Sequence, residues 1–392
     1  MASRGARTLR CAARGAFAHQ RGALPRAAAP ARALTSAPAQ AAVAAAPLPS
    51  DAELFGDPFA SVGTELQSLG GNMKEMLDTA GEHPVLDVVT QYFFERGGKR
   101  FRPTVVLLLA RAAAASGGGA ELVCDRQHRL AEITEMIHTA SLLHDDVVDE
   151  SDSRRGSASV NAKFGNKVAV LAGDFLLARS SIALARLRDC DVVELLSRVI
   201  EELVEGELLQ MKQGLGGGGG GGPDADLLMA SYLHKTYLKT GSLLANSCRA
   251  CVMLGEAPGS SSEQLADAAD AFGRNLGLAF QLVDDALDFQ QSSAALGKPA
   301  LADMRLGLAT APVLLSIAER PGLLELVERK CAGEGDMEQA LRWIEESGGL
   351  EKTEALAREH MDLAVAALSC FEPSAARSSL IDLSSMVLNR SS

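Results

Sequence analysis

Aromatic side chains are scarce: one Trp, three Tyr and twelve Phe make up 4% of the 392 residues. Strands draw on aromatic and β-branched residues, so their scarcity beside abundant Ala and Leu argues against a sheet protein and favours helices. Cysteine is thin as well. Seven are scattered along the chain, and Cys248 and Cys251 form a single CxxC without a second pair. That pattern supports neither a disulfide framework nor a zinc ribbon, and the two thiols read as buried helix positions in a reducing compartment. No run of about 18 apolar residues occurs, so the sequence offers no transmembrane helix. Basic charge is also in deficit, with a formal net charge of −12, which argues against a nucleic-acid partner.

Acidic residues are missing altogether from one region. Before Asp51 there is no Asp, Glu or Lys, but there are seven Arg among Ala, Ser and Pro. That composition predicts an organelle transit peptide over residues 1–50, without the apolar core of a secretory signal. Taking those seven charges away from −12 leaves −19 for residues 51–392. From Asp51 the chain reads as helix after helix, so residues 51–392 are expected to be all-α; their length fits one large domain or two small ones, with a core that needs no disulfides. Helix breaks are expected at Gly117–Gly119, Ser151–Ser157, Pro258–Ser262, Gly297–Pro299 and Gly333–Asp336. The glycine run at 214–222 reads as a low-complexity loop insertion; it lacks the Lys-Ser/Thr of a P-loop.

Against these absences stands one concentration of charge. SLLHDDVVDESDSRRG, Ser141 to Gly156, places five carboxylates within eight residues and then two arginines. The preceding run has helical periodicity, with Ile133, Met136, Ile137, Ala140, Leu143 and Val147 on one broad apolar face. Asp145 and Asp149 are four apart and share a face at its end. Like charges there destabilise a bare helix by a few tenths of a kcal/mol, whereas a hard cation such as Mg²⁺ would use both as oxygen ligands. An acidic helix end is ordinarily a solvated face, but the spacing recurs. GLAFQLVDDALDF, Gly277 to Phe289, repeats DDxxD with Asp284, Asp285 and Asp288, and Gly273, Gly277 and Asp284 fall near one helix face. Two such helices facing each other would form a carboxylate-lined cavity mouth able to hold several Mg²⁺ ions and, through them, a diphosphate.

A diphosphate also needs cations, and an acidic chain places them selectively. GGKRFRP brings Lys99, Arg100 and Arg102 to the start of the apolar helix VVLLLA, where backbone N–H groups favour a phosphate. Arg154 and Arg155 follow the first Asp motif. HKTYLKTGSLLA supplies Lys235, Lys239 and Thr240, and GKP supplies Lys298 after the second motif. His138 lies seven residues before Asp145, two turns back on nearly the same face. No Ser or Cys has a convincing base partner for nucleophilic catalysis.

Taken together, LLHDDVVDESDSRRG, FQLVDDALDF, GGKRFRP, Lys239–Thr240 and GKPALADMRLGLATAPVL resemble the signatures of the trans-type isoprenyl diphosphate synthases over nearly all of residues 80–392, and especially the long-chain, solanesyl-type members that make quinone side chains. The resemblance implies an all-α helical bundle around a deep apolar cavity, and a homodimer, or a heteromer as in some relatives. It implies that Asp145, Asp149 and Asp284 ligate Mg²⁺, with Asp146, Asp285 and Asp288 in support. Arg154, Lys239 and Lys298 would contact the allylic diphosphate (farnesyl or geranylgeranyl), while Lys99, Arg102, His138 and Arg155 would hold isopentenyl diphosphate. Thr240 and Gln281 would line the carbocation site. Short-chain relatives carry aromatics four or five residues before the first Asp; Ser141 and Ala140 stand there, which implies an open tunnel and a long product. Such a product suggests peripheral membrane association for its release. Leu308 replaces a Lys found in many relatives, so one diphosphate contact is expected to be missing.

The alternatives are a short-chain geranylgeranyl diphosphate synthase, opposed by Ala140 and Ser141; a class I terpene cyclase, opposed by the second DDxxD and GGKRFRP; and a non-catalytic subunit of a heteromeric synthase, opposed by two intact Asp motifs. The Arg-rich leader and the long-chain similarity favour the mitochondrion over the plastid.

Overall fold

The structure is a computed structural model that describes residues 56–78, 100–154, 157–213, 224–256, 259–294 and 302–390. The expected transit peptide, the glycine run and the GKP turn lie outside these residues. Among them the only strands are two short ones, so the all-α expectation holds.

In chain order the helices are α1 (Pro58–Ser61), α2 (Gly63–Asp78), α3 (Phe101–Ser116), α4 (Asp125–Val148), α5 (Val160–Phe164), α6 (Asn166–Arg186), α7 (Cys190–Gln213), α8 (Ala225–Thr236), α9 (Ser242–Met253), α10 (Glu263–Ala294), α11 (Ala302–Leu306), α12 (Ala311–Leu314), α13 (Gly322–Glu328), α14 (Asp336–Glu346), α15 (Gly349–Ala367) and α16 (Ala375–Leu388). A five-residue π-helix, Tyr237–Gly241, joins α8 to α9. After α4 the chain turns through an antiparallel pair, β1 (Ser153–Arg154) and β2 (Ser157–Ala158), with Arg154 opposite Ser157.

Helix α3 is apolar nearly all round and enclosed through its middle; Val105 to Ala110 have no exposed surface. It packs against α4, α9 and α16 and forms the middle of the main core. The longest helix, α10, runs about 48 Å at 1.5 Å per residue and packs along α9 and α15. Local sequence sets several starts. Asp57, Ser159, Asp224 and Ser374 each cap a helix with a side-chain oxygen. Gly117 closes α3, and the break at Gly333–Asp336 separates α13 from α14, as the sequence predicts. Cys248 and Cys251 are fully buried, with their thiol pKa values raised by burial.

One expectation is modified. Although no unbroken apolar run exists, α6 is long and apolar enough by length and composition to cross a membrane. Averaging absorbs Asp174 and Arg179, which an unbroken run excludes. Its inner side packs on α4, while Leu171, 55% exposed, and Ile182 lie three turns apart on one uncovered face.

Candidate active site

The first Asp motif ends a helix. Asp145 and Asp146 occupy the last turn of α4, and Asp149 is its C-cap, its N–H donating to the Asp145 carbonyl at 2.8 Å. Carboxylates at this end face the negative pole of the helix dipole and gain nothing from it. Burial raises the Asp145 pKa to about 7, the negative charges of Glu207 and Asp149 add to the rise, and Lys239 and Arg154 oppose it. Asp146 points elsewhere, because consecutive helical residues diverge by about 100°. It is fully buried, and Arg154 Nε donates to its Oδ1 at 2.6 Å. The Asn161 amide and the Ser151 N–H donate to its backbone carbonyl. Arg154, assigned by resemblance to the allylic diphosphate, is therefore engaged with Asp146 and pins the turn after α4.

The second motif lies inside a helix that continues for nearly two more turns. Its two adjacent carboxylates divide in the same way. Asp284 is 38% exposed, whereas Asp285 is buried and accepts three hydrogen bonds: from the Tyr232 hydroxyl at 2.5 Å, Gln281 Nε2 at 3.0 Å and the Ala311 N–H at 3.2 Å. Burial still raises the Asp285 pKa against those donors. Asp288 lies at the exposed rim, where partial burial and the Asp285 charge raise its pKa. Arg390, near the C-terminus, ion-pairs with Asp284 and lies over the Phe280 ring at 4.5 Å. Phe280 in turn packs on Phe101 at the start of α3, with ring centroids 5.3 Å apart.

Between the motifs stands the π-helix. Lys239 ion-pairs with Glu207 and donates to Gln210 at 3.1 Å, both on α7. Thr240 Oγ1 donates to Gln281 Oε1 at 3.2 Å. Glycine permits this approach: a Cβ on Gly277 of α10 would lie 2.6 Å from the Gly241 Cα, and one on Gly273 would lie 2.7 Å from the Leu244 carbonyl. The glycine face read from the sequence is thus where α10 meets the π-helix and α9 at backbone contact. π-Bulges of this kind gather at functional sites.

Arg102 Nη1 donates to His138 Nε2 at 2.9 Å. A guanidinium has no acceptor, so this geometry puts the imidazole proton on Nδ1. Arg100 adopts a left-handed conformation (φ 48°) and donates to the Leu66 carbonyl at 2.5 Å, tying α2 to the start of α3. Ala140 is fully enclosed in the main core, while Ser141 is half-buried and donates to the His138 carbonyl. Lys99, Arg155 and Lys298 lie outside the described residues.

Sequence reasoning missed several members of this group. Asp303, on α11, has its pKa raised to about 6 by burial and then by the charges of Asp285, Asp288 and Asp149. It therefore feels carboxylates of both motifs, which face a common space. Lys235, one of the cations read from the sequence, is buried beside Tyr232, its ammonium 5.5 Å from the ring centroid, and burial followed by Lys239 lowers its pKa. Glu207, Gln210 and Tyr232 come from helices, and Arg390 from the segment after α16, with no recognisable spacing to either motif; only tertiary packing brings them in. A polar cleft of about 560 Å³ lined by Asn72, Arg126, Arg129, Glu132 and Arg186 sits toward the other end of α4 and contains none of the predicted site residues.

Among the described residues no three His, Cys, Asp or Glu side chains converge as a ready metal cage. The donor set nonetheless fits Mg²⁺. That ion keeps several waters and takes one or two carboxylates plus phosphate oxygens rather than an all-protein shell. Asp145 and Asp149 form one such bank, and Asp284 and Asp288 the other. Burial and then the charges of Glu207 and Asp149 raise the Asp145 pKa, a cost that a bound cation would relieve, and Arg390 already sets a positive charge against Asp284.

Residues 83–344 match the family model described as polyprenyl synthetase. A probable hexaprenyl pyrophosphate synthase, mitochondrial, from Neurospora crassa is 42% identical over 85% of this chain and 82% of its own length. Solanesyl-diphosphate synthase 1, mitochondrial, from Oryza sativa is 43% identical over 85% of this chain and 79% of its own. Among solved structures, a polyprenyl synthase from Caulobacter crescentus complexed with calcium and isoprenyl diphosphate has a TM-score of 0.72 and 32% identity, covering 86% of this chain and 97% of that one.

Proposed function

Because this chain belongs to the polyprenyl synthetase family, we propose that it is a long-chain all-trans polyprenyl diphosphate synthase of the solanesyl type. It adds isopentenyl diphosphate repeatedly, head to tail, to an allylic diphosphate such as farnesyl or geranylgeranyl diphosphate. The observation that carries this reading is the pairing of two carboxylate banks, on α4 and α10, that face a common space beside Lys239, Thr240 and Gln281. The long-chain names of relatives at 42–43% identity support it over a geranylgeranyl-type synthase.

Asp145, Asp149 and Asp284 are the residues to hold Mg²⁺, with Asp288 at the rim. When bound, Mg²⁺ supplies charge neutralisation for the departing diphosphate. Lys239 adds a fixed positive charge on the same side, held by Glu207 and Gln210. Arg102 and His138 form a second donor group at the start of α3, where isopentenyl diphosphate would sit. Positive charge develops on the allylic carbon as its diphosphate leaves, and the Thr240 and Gln281 oxygens offer it a preorganised dipole. The isopentenyl double bond attacks that carbon, and the proton then lost passes to the departed diphosphate. The apolar wall keeps water from the cation.

The uncovered apolar face of α6, with Leu171 and Ile182, suits a second copy of the chain, and a homodimer is the assembly proposed. Relatives named mitochondrial and the Arg-rich leader support a mitochondrial site and a quinone side chain, ubiquinone's, as the product's destination. Condensation assays with Mg²⁺, labelled isopentenyl diphosphate and each allylic primer test the activity. Products longer than geranylgeranyl support it, and a stop at that length moves the assignment to the short-chain class.

A further inference from the structure

Tyr232 has no part in the roles above, yet it is buried directly beside them. It sits on α8, 3% exposed, and its hydroxyl lies 2.5 Å from Asp285 Oδ2. The Thr236 hydroxyl, one turn on, also hydrogen-bonds the phenol oxygen. Burial and the Asp285 charge both raise the Tyr232 pKa, so the phenol stays protonated and donates. Asp285 uses its other oxygen to accept from Gln281 Nε2 at 3.0 Å, and Gln281 Oε1 accepts from Thr240 at 3.2 Å. Each link forces the next. A carboxylate only accepts, so the Gln281 amide must turn its NH₂ to Asp285 and its carbonyl to Thr240. Thr240 then spends its one proton on that carbonyl and keeps lone pairs for whatever lies beside it. The series runs from α8 through α10 to the π-helix and is buried at its origin, where rotation of any member would leave an unmatched polar atom.

We propose that Tyr232 is a positioning residue: through Asp285 it fixes the Gln281 amide so that oxygen lone pairs of Gln281 and Thr240, rather than N–H groups, face the reacting allylic carbon. The inference rests on the prenyl-transfer reading. It also gives Asp285 a task distinct from metal ligation, because both of its oxygens are occupied by protein donors. A reversed amide would point a positive dipole at a developing cation and slow ionisation without weakening the grip on either diphosphate.

The test compares Tyr232→Phe, Asp285→Asn and the double variant with wild type in the full-length enzyme. Tyr232→Phe keeps the ring and should lower kcat about tenfold, with KM for both diphosphates and the Mg²⁺ needed for half-maximal rate within about twofold. Asp285→Asn presents an NH₂ to Gln281, should reverse the amide, and should lower kcat about a hundredfold. The double variant should be no worse than Asp285→Asn alone, since both act through one relay. Unchanged kcat in Tyr232→Phe overturns the proposal, even if its melting temperature falls. So does a rise in the Mg²⁺ requirement of Asp285→Asn, which would make Asp285 a ligand. A second readout stands apart from turnover. In protein labelled with ¹⁵N-glutamine, the Gln281 side-chain amide, identified by its loss in Gln281→Leu, should be protected from exchange and lose that protection in Tyr232→Phe. An amide equally exposed in both proteins contradicts the relay. An inactive wild type with a protected amide would instead sink the prenyl-transfer reading while leaving the relay in place.

Discussion

The two Asp motifs share a spacing but not a setting. The first terminates α4, where Asp149 is already the cap and the chain then turns back through β1 and β2. The second sits in mid-α10, with helix on both sides. In each, the leading Asp is only partly buried and its neighbour is buried against protein: Asp146 on Arg154, Asp285 on Tyr232, Gln281 and the Ala311 N–H. The anchors differ in kind. A terminal turn has no further helix to hold it, and an ion pair fixes it. A mid-helix position is already rigid, and its buried carboxylate is used to orient neighbours. Repetition in the sequence therefore encodes two pairs, each of one open and one structural acid, rather than six equivalent ligands.

Removing an open acid should cost most. Asp145→Ala and Asp284→Ala should each lower turnover about a thousandfold while far-UV circular dichroism stays unchanged; near-wild-type turnover by either would end the metal assignment. Removing the structural acid of the first motif should act on the fold. Asp146→Ala strips Arg154 of its buried partner and should lower stability by roughly 2 kcal/mol, read as a lower urea midpoint. If Asp146→Ala instead kept its stability and lost only Mg²⁺ dependence, the division of roles would be wrong.

Product length separates two neighbouring positions on α4. Ser141→Phe should shorten the product, since Ser141 keeps some open surface. Ala140→Phe meets a closed core and should cost about 1–3 kcal/mol by overpacking besides any effect on length. Chromatographic sizing and thermal melts of the two variants distinguish these outcomes.

The acidity of Asp145 gives a smaller, signed effect. Its pKa is about 7 in the fold against an ordinary carboxylate value of 3.8. The fold favours the neutral form, so the contribution is greatest at low pH and is lost as pH rises from about 4 to about 7. In chelator, wild type should lose more melting temperature between pH 5 and pH 7 than Asp145→Asn does; equal slopes would show that Asp145 is not so perturbed. Smallest is Arg390→Ala. Without the guanidinium competing for Asp284, half-maximal Mg²⁺ should fall about twofold, and a rise would mean that Arg390 assists the cation.

Much of this was legible beforehand. Both helices, both motifs, the breaks at Gly117 and Gly333, and the glycine face of α10 follow from periodicity and small-residue spacing. What stayed hidden has one physical cause: side chains reaching the site from elements with no spacing relation to it. Tyr232, Glu207, Asp303 and Arg390 arrive from α8, α7, α11 and the C-terminal end. The split within each DD pair came from the family resemblance, which sets Asp145 and Asp284 apart from Asp146 and Asp285, and not from the spacing. Helical geometry says that adjacent acids diverge, but the spacing does not say which of them meets a partner.

The central claim is that this arrangement extends an allylic diphosphate to a long chain. The most direct measurement incubates the purified protein with Mg²⁺, labelled isopentenyl diphosphate and farnesyl or geranylgeranyl diphosphate, and sizes the dephosphorylated products. A ladder that continues well past the geranylgeranyl length and ends at one dominant long polyprenol is the predicted result. No elongation with either primer, by protein that is folded and supplied with Mg²⁺, would contradict it.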